Sequence, residues 1–295
     1  MRTARRFEDE TVSGRPSGLA RLHSSLSALT ESEQKVAAVV RQDPHGAVYS
    51  SVTELAAAAG VGETTVLRFA RRLGYRSYQD FKMDLARDIF SAGGGHPAHP
   101  MASEGAGRDL LQCATEENRR VIVDTSSMLD RQALAKAVQI LSKARQIHFY
   151  GAGHSGITAK DARHRFWRLG FSAHAFDDSH FQLMAAATLS PEDAAVGLSV
   201  SGSSRDVVEC LEMARNRGAK TIAITGYQRS PITRVADVVL LTVTREMPLE
   251  SGSFTSKIGQ LHVLDILLRH LAESRADLVR RRQEETGRAI SGRFY

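Results

Sequence analysis

The stretch SSVTELAAAAGVGETTVLRFARRLGY, residues 50–75, decides the architecture of the front of this chain. Ser51 and Glu54 match the S/T-x-x-E capping box, in which hydroxyl and carboxylate satisfy backbone amides that a helix start leaves unpaired. The helix they open carries Leu55, Ala56 and Ala59 and stops at Gly60, a residue able to take the left-handed conformation a tight turn needs. Val61 then plugs the turn. A second helix, over about residues 63–73, sets Val66, Phe69, Ala70 and Leu73 toward one core. That leaves Thr64, Thr65, Arg68, Arg71 and Arg72 on the other side, and residues 68–76, which add Arg76, contain no acid. A solvated cationic face would account for the arginines by themselves. Helix, turn and basic second helix together read as a helix-turn-helix, whose second helix offers donors to base edges while its neighbours meet phosphates.

Outward from this core, Thr30 and Glu33 form a second capping box, and Ser77 and Asp80 imitate it more weakly. The spacing predicts an all-α domain over residues 19–90. Residues 1–18 are polar and charged without helical or strand period and are expected to be a mobile tail. SAGGGHPAHPMASEGAG, residues 91–107, reads as an interdomain linker. From 108 to 295 short β-branched runs (QIHFYG, SAHAF, AAVGLSVSG, KTIAITG, DVVLLTV) alternate with helical patterns at 155–169, 179–189, 203–217 and 254–273. Such alternation predicts a doubly wound α/β domain, a parallel sheet flanked by helices on both faces.

Composition sets the limits. Hydrophobic residues make up 42% and charged residues 24% of the 295, the mixture of a globular protein. Cys113 and Cys210 are the only cysteines, so neither a disulfide framework nor a four-cysteine metal site can be built, and a reducing compartment is expected. The start has no signal-peptide core and nowhere do about 20 apolar residues run together, so the expected location is cytoplasmic, with no membrane partner. The net charge of +6 divides as 13 basic against 12 acidic residues in 1–107 and 26 against 21 in 108–295. Bulk charge therefore says nothing about DNA; only the local cluster does.

The rear half carries two loops suited to an anion. GAGHSG, residues 151–156, follows the first strand and opens a helix, whose N-terminal amides and positive dipole end face the loop. It also satisfies G-x-G-x-x-G, with Asp177 and Asp178 further on, so a dinucleotide fits locally. The third strand ends in SVSGSS, residues 199–204, where Ser199, Ser201, Ser203 and Ser204 gather around Gly202 at another helix start. Two such loops at one sheet edge suit a phosphate monoester, which wants many donors around three oxygens. Turn and cap roles would explain one or two of these serines. Eleven histidines show no metal spacing, so no metal and no cofactor are expected; Trp167 and Phe171 read as packing residues, and the run Arg280–Arg282 as a solvated face.

Two family resemblances rest on these strings. LTESEQKVAAVVRQDP, the 50–75 stretch and SYQDFKMDLA, in that order over about residues 22–90, closely resemble the N-terminal domain of the RpiR family of bacterial regulators. Gly62 departs from the serine usual there as N-cap of the reading helix, and glycine caps less well. About residues 130–272 resemble the SIS (sugar isomerase) domain through the GxGxS loop, SxSGxS in place of SxSGxT, GAKTIAITGYQRSPITRVAD and SGSFTSKIGQLHVLDIL. The resemblance implies Ser155, Ser199, Ser201 and Ser204 as phosphate ligands, loop opening by Gly151 and Gly153, and a sugar contact from Glu246 or Glu250, near where SIS isomerases hold a catalytic carboxylate. The function implied is a regulator, not an enzyme. It binds a double-stranded DNA operator, responds to a phosphorylated sugar effector, controls carbohydrate-metabolism genes and forms a homodimer or homotetramer through the rear domain. A phosphosugar isomerase or etherase with an appended DNA-binding domain, or an NAD(H)-sensing regulator, are the alternatives. No Glu/His pair with acid–base geometry is identifiable for the enzyme reading.

Overall fold

The computed structural model describes residues 18–92, 109–243 and 254–293. Apart from the boundary residues Gly18, Ser91 and Ala92, the expected tail and linker lie outside these residues, as do Glu246 and Glu250. The front is helical, as the capping pattern predicts: α1 (Gly18–Ser25), α2 (Glu31–Gln42), α3 (Pro44–Tyr49), α4 (Val52–Ala58), α5 (Glu63–Arg72) and α6 (Tyr78–Ala92). Both capping boxes close reciprocally, Thr30 with Glu33 on α2 and Ser51 with Glu54 on α4. Gly60 takes φ +62° and turns α4 into α5. The amphipathic stripe of α5 supplies Val66, Phe69 and Ala70 to a core with Val36, Leu55 and Phe81, all nearly or fully inaccessible to solvent. Phe69 and Phe81 meet edge to face at 5.4 Å, an arrangement their ring quadrupoles favour.

The rear opens with α7 (Leu110–Met128) and α8 (Arg131–Lys143), then alternates: β1 (Ile147–Gly151), α9 (Gly153–Arg168), β2 (Ala173–Ala175), α10 (Ser179–Ala187), β3 (Ala194–Leu198), α11 (Arg205–Asn216), β4 (Lys220–Thr225), α12 (Pro231–Val235) and β5 (Val238–Leu241). Helices α13 (Phe254–Ser274) and α14 (Ala276–Ile290) follow. All pairings are parallel, in the order β2-β1-β3-β4-β5. Side-chain alternation splits the strands between two cores. Phe149, Val196, Ile224 and Leu240 pack with residues of α8, α9 and α13, while Tyr150, Ala195 and Ala223 pack with α10, α11 and α12. The sheet is thus covered on both faces, the expected architecture. Phe171 is buried in the first core, but Trp167 is 57% exposed, so its reading as a packing residue is corrected. Leu169 and Gly170 end α9 in a turn that carries Phe171, not Trp167, back to the sheet. Among the described residues no helix is long and apolar enough to cross a membrane.

This strand order has one consequence for binding. The chain leaves β1 for β2 on one side and reaches β3 on the other, so the crevice of an open α/β sheet lies beyond the carboxyl ends of β1 and β3. GAGHSG and SVSGSS are the segments that follow those two strands.

Candidate functional site

On α5 the exposed face carries Thr64, Arg68 and Arg71, with Arg72 also solvent-facing and Arg76 exposed just beyond the helix. Thr65 does not belong to it: only 7% exposed, it lies on the inner stripe, and the expectation for it is corrected. The cause is helical spacing, since Thr65 stands four and eight residues before Phe69 and Leu73, on their side of the cylinder. Leu67, 40% exposed, takes the outward place. Gly62 caps α5 without a side-chain hydrogen bond.

The arginines are not equivalent. Arg72 Nε lies 3.6 Å from Glu33 Oε2, and the Glu33 side chain is almost wholly covered. Burial pushes the Glu33 carboxyl up, yet hydrogen bonds from Thr30 and the charges of Arg72 and Arg68 outweigh it and hold the group below its ordinary value. Arg72 therefore ties the reading helix to α2 as well as facing solvent. Arg76 lies 3.8 Å from Asp80, a loose pair with its arginine side chain in water. Among the described residues no ion pair is formed by Arg68 or Arg71, both of which are exposed.

In the rear domain, Gly151 lets α9 start against the strand end: a Cβ there would stand 2.5 Å from the Ser155 carbonyl oxygen. Gly153, at φ +54°, would meet nothing within 4 Å. Ser155 is buried, and its Oγ accepts from Gln260 Nε2 of α13 at 3.1 Å, leaving its own proton to donate. In the second loop Ser199 Oγ and Ser204 Oγ are 3.0 Å apart. Ser199 is 1% exposed, with its hydroxyl against that of Ser204, which stands at the N-cap of α11 without a capping bond of its own. Ser201 Oγ accepts from the Ser203 amide at 3.2 Å, and the Ser203 hydroxyl donates to the Ser201 carbonyl at 3.3 Å. Gly202 holds φ +63°.

Beside the first loop opens a cavity of about 360 Å³, lined by Gly151, Gly153, Lys160, Asp177, Gln182 and Asp206, among others. Of the ligands expected from the sequence it includes only Gly151 and Gly153; the serines lie outside its lining. Asp177 is paired with Lys160, and Asp178 caps α10 by accepting from the Phe181 amide at 2.9 Å. Both acids are thus engaged within the protein rather than held free for a ribose. Lys160, Gln182 and Gln260 went unnoticed in the sequence. Gln260 lies 105 residues from its partner Ser155, and no local spacing announces that contact.

Comparison with known proteins agrees with both halves. The pattern of the helix-turn-helix domain, rpiR family, matches residues 17–92, and that of the SIS domain matches residues 140–269. A Haemophilus influenzae protein named as an HTH-type transcriptional regulator is 33% identical over 271 residues, covering 91% of this chain and 94% of its own. The HTH-type transcriptional regulator HexR of Pseudomonas aeruginosa is 34% identical over 255 residues, 84% of this chain and 87% of HexR. The structure of Vibrio vulnificus NanR complexed with ManNAc-6P superposes with a TM-score of 0.82 at 28% identity, covering 94% of this chain and 99% of that one.

Proposed function

The chain belongs to the rpiR family of helix-turn-helix transcriptional regulators carrying a SIS domain, and from that premise we propose that its rear domain senses a phosphorylated sugar and so modulates operator binding at carbohydrate-metabolism genes. The observation that carries this reading is the placing of two hydroxyl- and glycine-bearing loops at the carboxyl ends of β1 and β3, where the sheet order opens its crevice. A phosphate there receives hydroxyl protons from Ser155, Ser201 and Ser204 and faces the positive ends of α9 and α11. The sugar hydroxyls extend into the adjoining cavity toward Lys160 and Gln182. The ligand crystallised with NanR, ManNAc-6P, is of this class. The front domain lays α5 in the major groove, with Arg68, Arg71, Arg72, Arg76 and Thr64 as its DNA-facing residues. The rear domain joins two copies, because one helix-turn-helix offers few contacts and a two-fold protein reads a near-palindromic site. The protein works by binding and not by turnover, a reading supported by relatives named as HTH-type transcriptional regulators. The acids at the end of β2, occupied by Lys160 and by the α10 cap, disfavour a dinucleotide in place of the phosphosugar.

The test combines thermal shift and operator binding. Glucose 6-phosphate, ManNAc-6P and NAD(H) are offered to the wild type, and a compound that binds only the folded state raises its apparent stability. Phosphosugars are expected to raise it and NAD(H) to leave it unchanged. Ser155→Ala with Ser201→Ala should remove the phosphosugar effect on operator binding without preventing DNA binding. Each charged hydrogen bond lost costs about 1.5–3 kcal/mol, or roughly ten- to a hundredfold in affinity. Unchanged phosphosugar affinity in the double variant would mean that these serines only shape turns.

A further inference from the structure

Among the described residues, the segment 227–234 of the rear domain meets the helix-turn-helix domain through contacts of three kinds. Arg234 donates from both terminal nitrogens to Glu63, at 2.9 and 2.7 Å, and Glu63 opens α5. The Ser51 hydroxyl, which caps α4, donates to the Arg229 carbonyl at 2.6 Å. The Lys82 ammonium of α6 lies 5.8 Å from the centre of the Tyr227 ring and donates to the Ser50 carbonyl at 2.8 Å. Thr53 donates to Glu63 as well, so the carboxylate is fixed from both domains.

The inner side of the same segment rests on the serine loop. The Ile232 amide donates to the Gly202 carbonyl at 2.9 Å, and the Gly226 amide to the Val200 carbonyl at 2.9 Å. Gly202 lies so close to Ser230 that a Cβ on it would stand 2.1 Å from the Ser230 Oγ. Ser230 is wholly buried and cannot move aside alone. A shift of the 199–204 backbone around an anion is therefore felt by residues 226–232, which carry Tyr227 and Arg229 and lead directly into Arg234, the group that holds the reading helix.

We propose that residues 227–234 form a latch: closed, it docks the first turn of α5 on the rear domain and opposes DNA binding, and the anion loop 199–204 sets whether it is closed. The inference rests on the sensor reading above and adds its transmission. Its physical basis is that a reading helix enters the groove by its N-terminal residues, the end at which Arg234 holds Glu63. Such coupling requires an element with two arrangements that both sites bias, and a segment bonded to both is suited to it.

Arg234→Glu tests the latch in the full chain. The probes are a duplex selected from a random pool by the wild type, with glucose 6-phosphate and, in parallel, ManNAc-6P as effectors. The variant is expected to bind the duplex about three- to tenfold more tightly, the range for losing one well-formed but partly exposed ion pair. The added charge is of the wrong sign to attract DNA, so a gain reports release of the helix. The effector's influence should shrink by a similar factor, and Glu63→Arg combined with Arg234→Glu, which restores an opposite-charge pair, should restore that influence. Operator affinity equal to or weaker than wild type in Arg234→Glu overturns the latch. Arg234→Gln, which keeps size without charge, serves if the first variant does not fold. A wild type that binds the duplex but ignores both phosphosugars would refute the sensor reading instead, and the Arg234→Glu affinity would still decide the latch.

Discussion

Gly202→Ala is the substitution that asks most of the serine loop. Its φ of +63° costs an L-residue about 1–2 kcal/mol, offset by about 0.4–1 kcal/mol because alanine narrows the unfolded ensemble. The new methyl would stand 2.1 Å from Ser230 Oγ and 2.9 Å from Thr225 Oγ1, both on wholly buried side chains, so the loop must lift or the neighbours must move. Overpacking of this kind adds about 1–3 kcal/mol, for a total of roughly 1–5 kcal/mol. For a domain of this size that lowers Tm by roughly 2–18 °C. Scanning fluorimetry without ligand reads the loss, and the same scan with glucose 6-phosphate should show no stabilisation, because a displaced loop no longer sets the Ser201 and Ser204 hydroxyls beside Ser155. Adding Ser230→Gly removes the nearer obstruction and should recover part of the stability, though not the share due to φ. A variant within a degree of wild type, still stabilised by phosphosugar, would show that the loop is not packed as described and does not hold the phosphate.

Three further outcomes are expected. Arg71→Ala should weaken operator binding with Tm unchanged, whereas Arg72→Ala should weaken it and also lower stability by about 1 kcal/mol, as the buried Glu33 loses a partner; denaturant unfolding beside fluorescence anisotropy separates the two. His148, whose pKa burial and then the neighbouring His174 push down to about 4, stays neutral in the fold while the unfolded chain takes up a proton near 6.5. Stability should therefore fall as pH drops from about 6.5 to 4, by about 3 kcal/mol from this group, and His148→Phe should flatten that part of the pH–stability curve. Residues 109–295 should sediment as an even oligomer, as should the whole chain; a monomeric fragment beside an oligomeric chain would move the interface to the front.

What could be read in the sequence was what neighbouring residues dictate. Capping boxes, the Gly60 turn and the β-branched runs are local chemistry, and the helices and strands formed where those signals stood. The order of the sheet was another matter: alternation says that strands are parallel but not that β1 lies between β2 and β3, which is what brings the two anion loops together. Thr65 shows the limit within a single helix. The stripe that includes Phe69 and Leu73 also claims the residue one turn earlier, so a polar side chain went inward and Leu67 outward. Ser155 with Gln260, Arg72 with Glu33 and Arg234 with Glu63 join residues 105, 39 and 171 positions apart. Only the folded chain brings them within reach.

The energies of the contacts between the two domains bear on how strongly such a regulator can respond. An effector shifts an equilibrium only by its differential affinity for the two states, and moving a population from 1:99 to 99:1 needs about 5.5 kcal/mol. The Arg234 side chain is 57% exposed and the Glu63 side chain 21%, so water screens the pair and it contributes about 1 kcal/mol or less. The Ser51 hydrogen bond adds about 0.5–1.5 kcal/mol, and the Lys82–Tyr227 contact about 0.5–1 kcal/mol. Together these give one chain roughly 1–3.5 kcal/mol, enough to change operator affinity but short of an all-or-none switch. Two reading helices bound to one palindromic site must both be released for full binding, so in a dimer the latch energies of the copies combine and roughly double the bias. A single chain should therefore respond gradually and the dimer steeply, which would tie the strength of regulation to the rear-domain interface proposed above.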